Sequence, residues 1–515
     1  MRFVLPILLG AIAATGFAPL ELVPLTIVAV ALWLRLVHDA PDLKRALLAG
    51  WLFGVGHFTV NNNWIQHAFD YQDKMPPVLG YGAVVGLAFY LAVYPAIAAG
   101  LLWRLASPRS RGDRITRPGL AFALVAGAAW IAGEWLRSTL FTGYAWNPLS
   151  VTWVPVQPIA GLAAWIGTYA LSGLTVAAAA LLLLVPRRPL PLILASLAVI
   201  APVPLAMMSY RTAPPTVAAD APRLRVVQPN IDQVVDVTPA HGRHVLLTLA
   251  GLSGTPGSAP RLLLWPEGAV DPYLEDGYPP YAYWRGSPVA TRGVIARLLG
   301  PRDAALVGGT ALMFDKDGVI DEAGNSIFVV RPNARLAGRY DKAHLVPYGE
   351  YLPMRTILEP LGLSRLVAGE IDFADGPGPR SLPVAPFGDI GMQVCYEIIF
   401  SGQVVDPAKR PALIFNPSND AWFGSWGPPQ HLAQARMRAI EEGLPVARST
   451  PNGISAVIGA DGRLVATVPR HTAGAIEVPL PPAAPPTLFS RIGNWAAAIV
   501  ALLLLAGALV VRRRR

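Results

Sequence analysis

The sequence predicts a polytopic α-helical membrane domain joined to an extramembrane α/β layered sandwich, and three observations predict it. Of its residues 53% are hydrophobic and only 15% charged, where a soluble globular protein carries roughly 25% charged. The apolar residues are segregated into uncharged runs of membrane-spanning length near both ends of the chain. Between them charge returns, and short β-type runs alternate with Gly, Pro and Asp turns. The implied boundaries are 1–210 for the membrane domain, 211–488 for the extramembrane domain, and 489–515 for a last helix with a basic tail.

Crossing the hydrocarbon core takes about 20 apolar residues. Residues 3–20, 78–103, 159–185, 189–210 and 495–511 meet this with no charged residue. Residues 22–37 carry Arg35, able to snorkel, 46–68 carry His57, and 118–136 carry Glu134. Eight helices are therefore predicted, seven before the extramembrane domain and one after it. The first run, behind Met1-Arg2, also has the pattern of a cleaved signal peptide. Basic residues collect in the connections after the second, fourth and sixth helices and in the tail. These are Arg35, Lys44 and Arg45; Arg104, Arg109, Arg111, Arg114 and Arg117; Arg187 and Arg188; and Arg512 to Arg515. All fall on one side, which the positive-inside rule makes cytoplasmic, together with both termini. The large domain then lies opposite, in the periplasm if the membrane is a bacterial inner membrane. The net charge of +9 is accounted for by orientation, and nucleic acid is not an expected partner. Glu134 and Arg137, spaced i,i+3, are expected to pair in helix packing.

Within the large domain, residues 224–228, 262–265, 304–308, 326–330, 390–394, 412–415 and 454–458 read as strands. Several are continuous apolar runs, as in strands buried on both faces. Residues 242–252, 288–299 and 430–442 have helical spacing, so the class is an α/β layered sandwich. Pro214-Pro215 and residues 481–486 read as stiff linkers. No internal repeat is visible, and Gly54-Val55-Gly56 lacks the third glycine of a phosphate-cradling loop.

The chain has one cysteine, so no internal disulfide, and no Cys/His cluster has zinc-ligand spacing. Three strand ends deliver reactive groups: Glu267 after Leu264-Trp265-Pro266, Lys342 after Tyr340-Asp341, and Cys395 after Val394. A carboxylate can take a thiol proton, and an ammonium can lower a thiol pKa and stabilise an oxyanion. Singly, each has a bland reading, as a buried small residue, a solvated cation and a strand-ending turn. The set is more specific than its members.

Trp265-Pro266-Glu267, the run from Lys342-Ala343-His344 through Pro347-Tyr348-Gly349-Glu350-Tyr351-Leu352-Pro353, and Cys395-Tyr396-Glu397 resemble the Glu-Lys-Cys signatures of the nitrilase (carbon–nitrogen hydrolase) superfamily. With Ser418-Asn419-Asp420-Ala421-Trp422-Phe423-Gly424, the helix from Gln430-His431 to Arg438, and the apolar helices, the chain is similar to the apolipoprotein N-acyltransferase family over nearly its whole length. Thr450-Pro451-Asn452-Gly453 departs from it, a second polar residue being expected in place of Pro451. The resemblance implies a four-layer αββα nitrilase-like domain on the periplasmic face of the inner membrane. It implies Glu267 as base, Cys395 as nucleophile, and Lys342 with the Tyr396 N–H as oxyanion donors. Glu350 would position Lys342 or the substrate amine, and Glu397 would support the nucleophile. The reaction implied moves an acyl chain from a phospholipid, through a thioester on Cys395, to the α-amine of a diacylglyceryl-cysteine on an apolipoprotein, with no cofactor and no metal. Because water would hydrolyse a thioester, the site should be screened, and Trp422, Phe423, Phe141, Tyr144 and Trp146 are the aromatic candidates. Two alternatives stay open: a membrane-tethered amidase or nitrilase-type hydrolase that passes the acyl group to water, and a transporter or sensor, which would need charged or Gly/Pro-broken helices at the bilayer midplane.

Overall fold

A computed structural model describes residues 3–71, 75–107, 118–184, 221–232, 238–361 and 372–513. The predicted helix at 189–210, the Pro214-Pro215 linker, and the basic residues Arg109, Arg111, Arg114, Arg117, Arg187 and Arg188 lie outside them. The membrane part contains α1 (Val4–Ala14), α2 (Val23–His38), α3 (Leu43–Asn61), α4 (Leu79–Leu91), α5 (Val93–Ala106), α6 (Leu120–Thr139) and α7 (Ala163–Leu181). Among the described residues four helices are long and apolar enough to cross a membrane: Leu79–Ala106, Leu120–Thr139, Ala163–Leu184 and the last, Trp495–Arg513. Val4–Ala14 and Val23–His38 are apolar but shorter. The predicted third helix stops at Asn61, and the chain continues as a 3-10 segment, Asn63–Tyr71.

Small residues set the distances in the bundle. A Cβ on Gly10 would stand 1.9 Å from the Phe53 carbonyl oxygen, and one on Gly56 1.9 Å from that of Ile7. The glycines of Gly54-Val55-Gly56 thus serve close backbone contact between helices, the means by which helices associate without a hydrophobic driving force. Glu134 and Arg137 do not pair with one another. Glu134 accepts from Trp130 Nε1 (2.9 Å) and the Leu149 amide (2.8 Å), and Arg137 donates to the Trp146 carbonyl (2.7 Å). Both pin the loop after α6.

From residue 221 on come β1 (Arg223–Gln228), α8 (Pro239–Leu252), β2 (Arg261–Leu264), α9 (Pro288–Ala296), β3 (Ala304–Phe314), β4 (Ile320–Val330), β5 (Leu336–Asp341), β6 (Ser381–Pro383), β7 (Asp389–Met392), β8 (Leu413–Pro417), α10 (Gly427–Glu442), β9 (Val446–Ser449), β10 (Ser455–Ile458), β11 (Leu464–Val468) and β12 (Gly474–Pro479), followed by α11 (Trp495–Arg513). One sheet has the order β12-β1-β2-β3-β4-β5, the other β11-β10-β9-β8-β7-β6. In the first, β1, β2 and β3 are parallel and β4, β5 and β12 antiparallel to their neighbours. In the second, β7, β8 and β9 are parallel and β10, β11 and β6 antiparallel. The arrangement β1–β5 therefore recurs as β7–β11, with the sixth strand of each unit exchanged into the other sheet. This is an internal repeat that the residues themselves do not reveal, because topology is preserved without shared side chains.

The period of two along each strand divides the core. Leu224, Val226, Leu262, Leu264 and Leu306 face Ile390, Met392, Leu413 and Phe415 of the other sheet. Val227, Leu263, Ala305 and Val307 turn the other way, onto Leu246, Leu249 and Ile295 of α8 and α9. With α10 packed on the second sheet through Leu432, Ala435 and Ala439, the layering is αββα.

Helix α10 is where the two halves meet. It is polar in composition, yet nearly every residue is buried. Arg438 pairs with Glu441 (3.0 Å) and donates to Thr168 Oγ1 of α7 (2.5 Å), while the Thr168 amide donates to Glu441 (2.7 Å). Gln430 accepts from Trp146 Nε1 (2.8 Å) and donates to Asn61 of α3 (3.3 Å), and Gln434 accepts from the Asn147 amide (3.1 Å). Buried polar groups need such partners. The layered sandwich is thereby fixed to the bundle by hydrogen bonds as well as by apolar contact.

Candidate active site

Each of the three reactive groups leaves the end of a strand. Glu267 follows β2, and the close approach of its turn to β3 requires Gly308, where a Cβ would lie 2.3 Å from the Pro266 carbonyl oxygen. Lys342 follows β5, its backbone amide bound to the Asn325 carbonyl (2.9 Å). Cys395 follows β7 at φ +51°, a left-handed conformation that a non-glycine residue adopts only when its surroundings hold it there. All three are almost fully buried.

Lys342 Nζ is 2.9 and 2.8 Å from Oε1 and Oε2 of Glu350, and 3.8 Å from Oε1 of Glu267. Asn325, on β4, bridges the two carboxylates, its Nδ2 donating to Glu267 Oε1 (2.7 Å) and to Glu350 Oε1 (2.9 Å). The second oxygen of Glu267 accepts from the Asn419 amide (2.6 Å), and that of Glu350 from the Val346 amide (2.8 Å). Asn419 follows β8, the topological counterpart of β2, so the two repeats meet at the carboxylate. Cys395 lies within electrostatic reach of both Lys342 and Glu267.

Glu397 braces Cys395 against the lysine strand. Its Oε1 accepts from Tyr340 Oη (2.8 Å) and from the amides of Ala343 (2.7 Å) and His344 (3.2 Å), and its Oε2 from the Val394 amide (2.6 Å). Tyr396 Oη reaches the Gly143 carbonyl (3.3 Å).

Burial pushes the Cys395 thiol well above its ordinary value, and Glu267 adds to this against the pull of Lys342. Burial likewise raises Glu267, opposed by Lys342 and assisted by Glu350. It works against the Lys342 ammonium, but Glu350 foremost, then Glu267 and Cys395, outweigh it and hold the group above the usual lysine value. Burial raises Glu397 to about 7, against the pull of the Tyr340 hydroxyl, the Val394 and Ala343 amides and the Lys342 ammonium. The resting set is thus a thiol, an ammonium, and a carboxylate more basic than an exposed one.

The aromatic candidates divide. Trp146 and Phe423 are buried and pack edge-on or tilted against Trp64 and His431 in one cluster, with centroids 4.6 to 5.6 Å apart. Trp422 is half-buried against Tyr71, 5.5 Å away. Half-buried Tyr144 donates to Asn62 (2.9 Å), and Phe141 is 86% exposed. The Pro451 position is accommodated without its missing N–H: its carbonyl accepts from the amides of Asn230 (2.7 Å) and Ile231 (3.3 Å).

Sequence reasoning missed Asn325 and Trp64, which carry no motif and arrive from β4 and a membrane-side loop. It also missed Asn416 and Arg448. Among the described residues no group of His, Cys, Asp and Glu side chains could hold a metal ion.

A membrane helix bundle joined to an αββα sandwich with a buried Glu-Lys-Cys set defines a membrane-bound enzyme of the carbon–nitrogen hydrolase superfamily. Residues 223–484 match the carbon–nitrogen hydrolase family, and residues 9–181 the apolipoprotein N-acyltransferase N-terminal domain. Apolipoprotein N-acyltransferases of Bradyrhizobium diazoefficiens and Rhodopseudomonas palustris are 34% and 31% identical, each over 100% of this chain and 95% of its own length. That of Caulobacter vibrioides is 31% identical over 99% of this chain and 94% of its own. The chain belongs to the apolipoprotein N-acyltransferase family, acyltransferases built on the carbon–nitrogen hydrolase fold.

Proposed function

We propose that this acyltransferase N-acylates apolipoproteins in two half-reactions at Cys395. Glu267 takes the thiol proton as Sγ attacks the sn-1 ester carbonyl of a phospholipid. The C–O bond breaks, the proton passes to the departing alkoxide, and a lysophospholipid leaves a thioester on Cys395. The α-amine of a diacylglyceryl-cysteine then attacks the thioester. Its proton goes to Glu267 and on to the sulfur as the C–S bond breaks, giving an amide.

The observation that carries this reading is the buried Lys342-Glu350-Asn325-Glu267 cluster beside Cys395, packed against a helix bundle. The raised thiol pKa makes Glu267 a general base acting during attack, since a resting thiolate is disfavoured. Lys342 stays charged and serves the oxyanion with the Tyr396 N–H, removal of one such donor lowering rates about 100- to 1000-fold. Glu350 acts through Lys342, and Glu397 braces the nucleophile. The Trp64, Trp146 and Phe423 wall and Trp422 keep water from the thioester.

The test is to incubate purified protein with phospholipid and then with a diacylglyceryl peptide. Lysophospholipid followed by N-acyl peptide supports the proposal, whereas free fatty acid alone, with no peptide acylated, would establish the hydrolase reading instead. The loop arginines support a periplasmic catalytic domain with both termini cytoplasmic.

A further inference from the structure

Arg448 stands in the middle of β9, fully buried, and organises every side chain that touches the Cys395 carbonyl among the described residues. Its Nη1 donates to Asn416 Oδ1 (2.6 Å) and Ser418 Oγ (2.9 Å). Its Nη2 lies 2.5 Å from Asp420 Oδ1 and 3.1 Å from His431 Nδ1. His431 Nε2 lies 3.1 Å from the Cys395 carbonyl oxygen, and Asn416 Nδ2, which donates to the Gln393 carbonyl at 2.7 Å, also reaches the Cys395 oxygen at 3.4 Å.

His431 Nδ1 lies 3.1 Å from Arg448 Nη2, which can only donate, and 3.3 Å from Asp420 Oδ1, which can only accept; because Nε2 faces a carbonyl oxygen that also can only accept, the neutral ring carries its proton on Nε2 and Nδ1 accepts from Arg448. The other tautomer would set an Nε2 lone pair against the carbonyl. Burial and Arg448 push His431 down to about 4, which keeps it in this neutral form. Burial works against the Asp420 carboxylate, but Arg448 foremost holds it below its ordinary value, so it balances the buried guanidinium.

The Cys395 C=O and the Tyr396 N–H belong to one planar trans peptide and point in opposite directions. Whatever fixes the carbonyl aims the amide. We propose that Arg448 is a positioning residue for the oxyanion donor: through His431 and Asn416 it holds the Cys395 carbonyl, and so directs the Tyr396 N–H at the developing oxyanion while keeping Cys395 in its left-handed conformation. The inference rests on the reading of Cys395 as nucleophile and the Tyr396 N–H as donor.

Two rates on the full-length protein separate positioning from general damage. Alkylation of Cys395 by iodoacetamide needs the thiolate but no oxyanion donor; acyl-enzyme formation from phospholipid needs both. Arg448→Met is expected to slow acyl-enzyme formation about 100-fold or more, through kcat and with KM little changed, while alkylation stays within a few-fold of wild type. Because Arg448→Met strands the buried Asp420 carboxylate, His431→Leu and His431→Gln are compared as well. The leucine should behave like Arg448→Met, and the glutamine, whose amide can still donate to the carbonyl, should recover at least a tenth of the wild-type rate. Acylation within two-fold of wild type in Arg448→Met or His431→Leu would overturn the proposal. So would equal losses in both rates, or equal losses in the two His431 variants. No acyl adduct on the wild type would overturn the functional reading and this proposal with it.

Discussion

Glu350 grips the Lys342 ammonium with both oxygens and shares Asn325 with Glu267, which ties its role to the lysine more closely than to an incoming amine. Glu350→Gln should therefore slow both half-reactions, about 10- to 100-fold, in a protein that still folds. Acyl-enzyme yield with phospholipid alone, followed by a peptide chase, reads each step. Lys342→Met should lose about 100- to 1000-fold in the first step. The pH dependence follows from the same groups. Burial raises the Glu267 carboxyl, and only its carboxylate form can accept the thiol proton. Acyl-enzyme formation should accordingly rise with pH through a pKa above the ordinary glutamate value. Lys342 is held above the usual lysine value, so no alkaline loss from this group is expected below about pH 10. Single-turnover rates across the pH range test both limbs, and an acid limb at or below the ordinary glutamate value would contradict the base assignment.

At the scale of elements, seven of the twelve strands among the described residues were legible in the sequence as apolar runs, because strands buried on both faces need no polar alternation. The missed ones are instructive. β6, β11 and β12 are edge strands or exposed on one face, and β5 carries Arg339, Tyr340 and Asp341. β9 is fully buried but holds Arg448 and Ser449, and polarity hid it: Arg448 reaches the groups around the Cys395 carbonyl, and Ser449 donates to the Val227 carbonyl of the other sheet (2.8 Å). The Glu-Lys-Cys positions were readable because each closes a strand in a distinctive run. Asn325, Trp64 and Asn416 were not, since only tertiary packing brings them there. Helix α10 has helical spacing, but its burial among polar partners does not show in a pattern. Its His431 leads to an acid-stability prediction. The unfolded chain takes up a proton near the ordinary value of 6.5, whereas the folded chain resists until about 4. The folded state therefore loses stability as pH falls from 6.5 to 4, on the order of 3 kcal/mol. Unfolding midpoints over this window should drop, and the drop should flatten in His431→Gln; an unchanged slope would count against a buried neutral imidazole.

For the whole molecule, two repeats of one sheet topology, with exchanged sixth strands, bring the ends of β2, β5, β7 and β8 to one place, and α10 fixes that place against the membrane bundle. The orientation of the bundle rests on the loop arginines. An alkaline phosphatase fused near Pro280 should be active and one near Arg111 inactive, and the reverse pattern would overturn the proposed topology. The central claim is that Cys395 carries the acyl group between donor and acceptor. It is tested most directly by mass spectrometry of the purified protein after incubation with a phospholipid of defined acyl chains. The account predicts a single sn-1 acyl adduct on Cys395, absent in Glu267→Ala and discharged as N-acyl peptide when a diacylglyceryl peptide is added. Wild-type rates of peptide acylation in Cys395→Ala, or turnover with no adduct on Cys395, would contradict it.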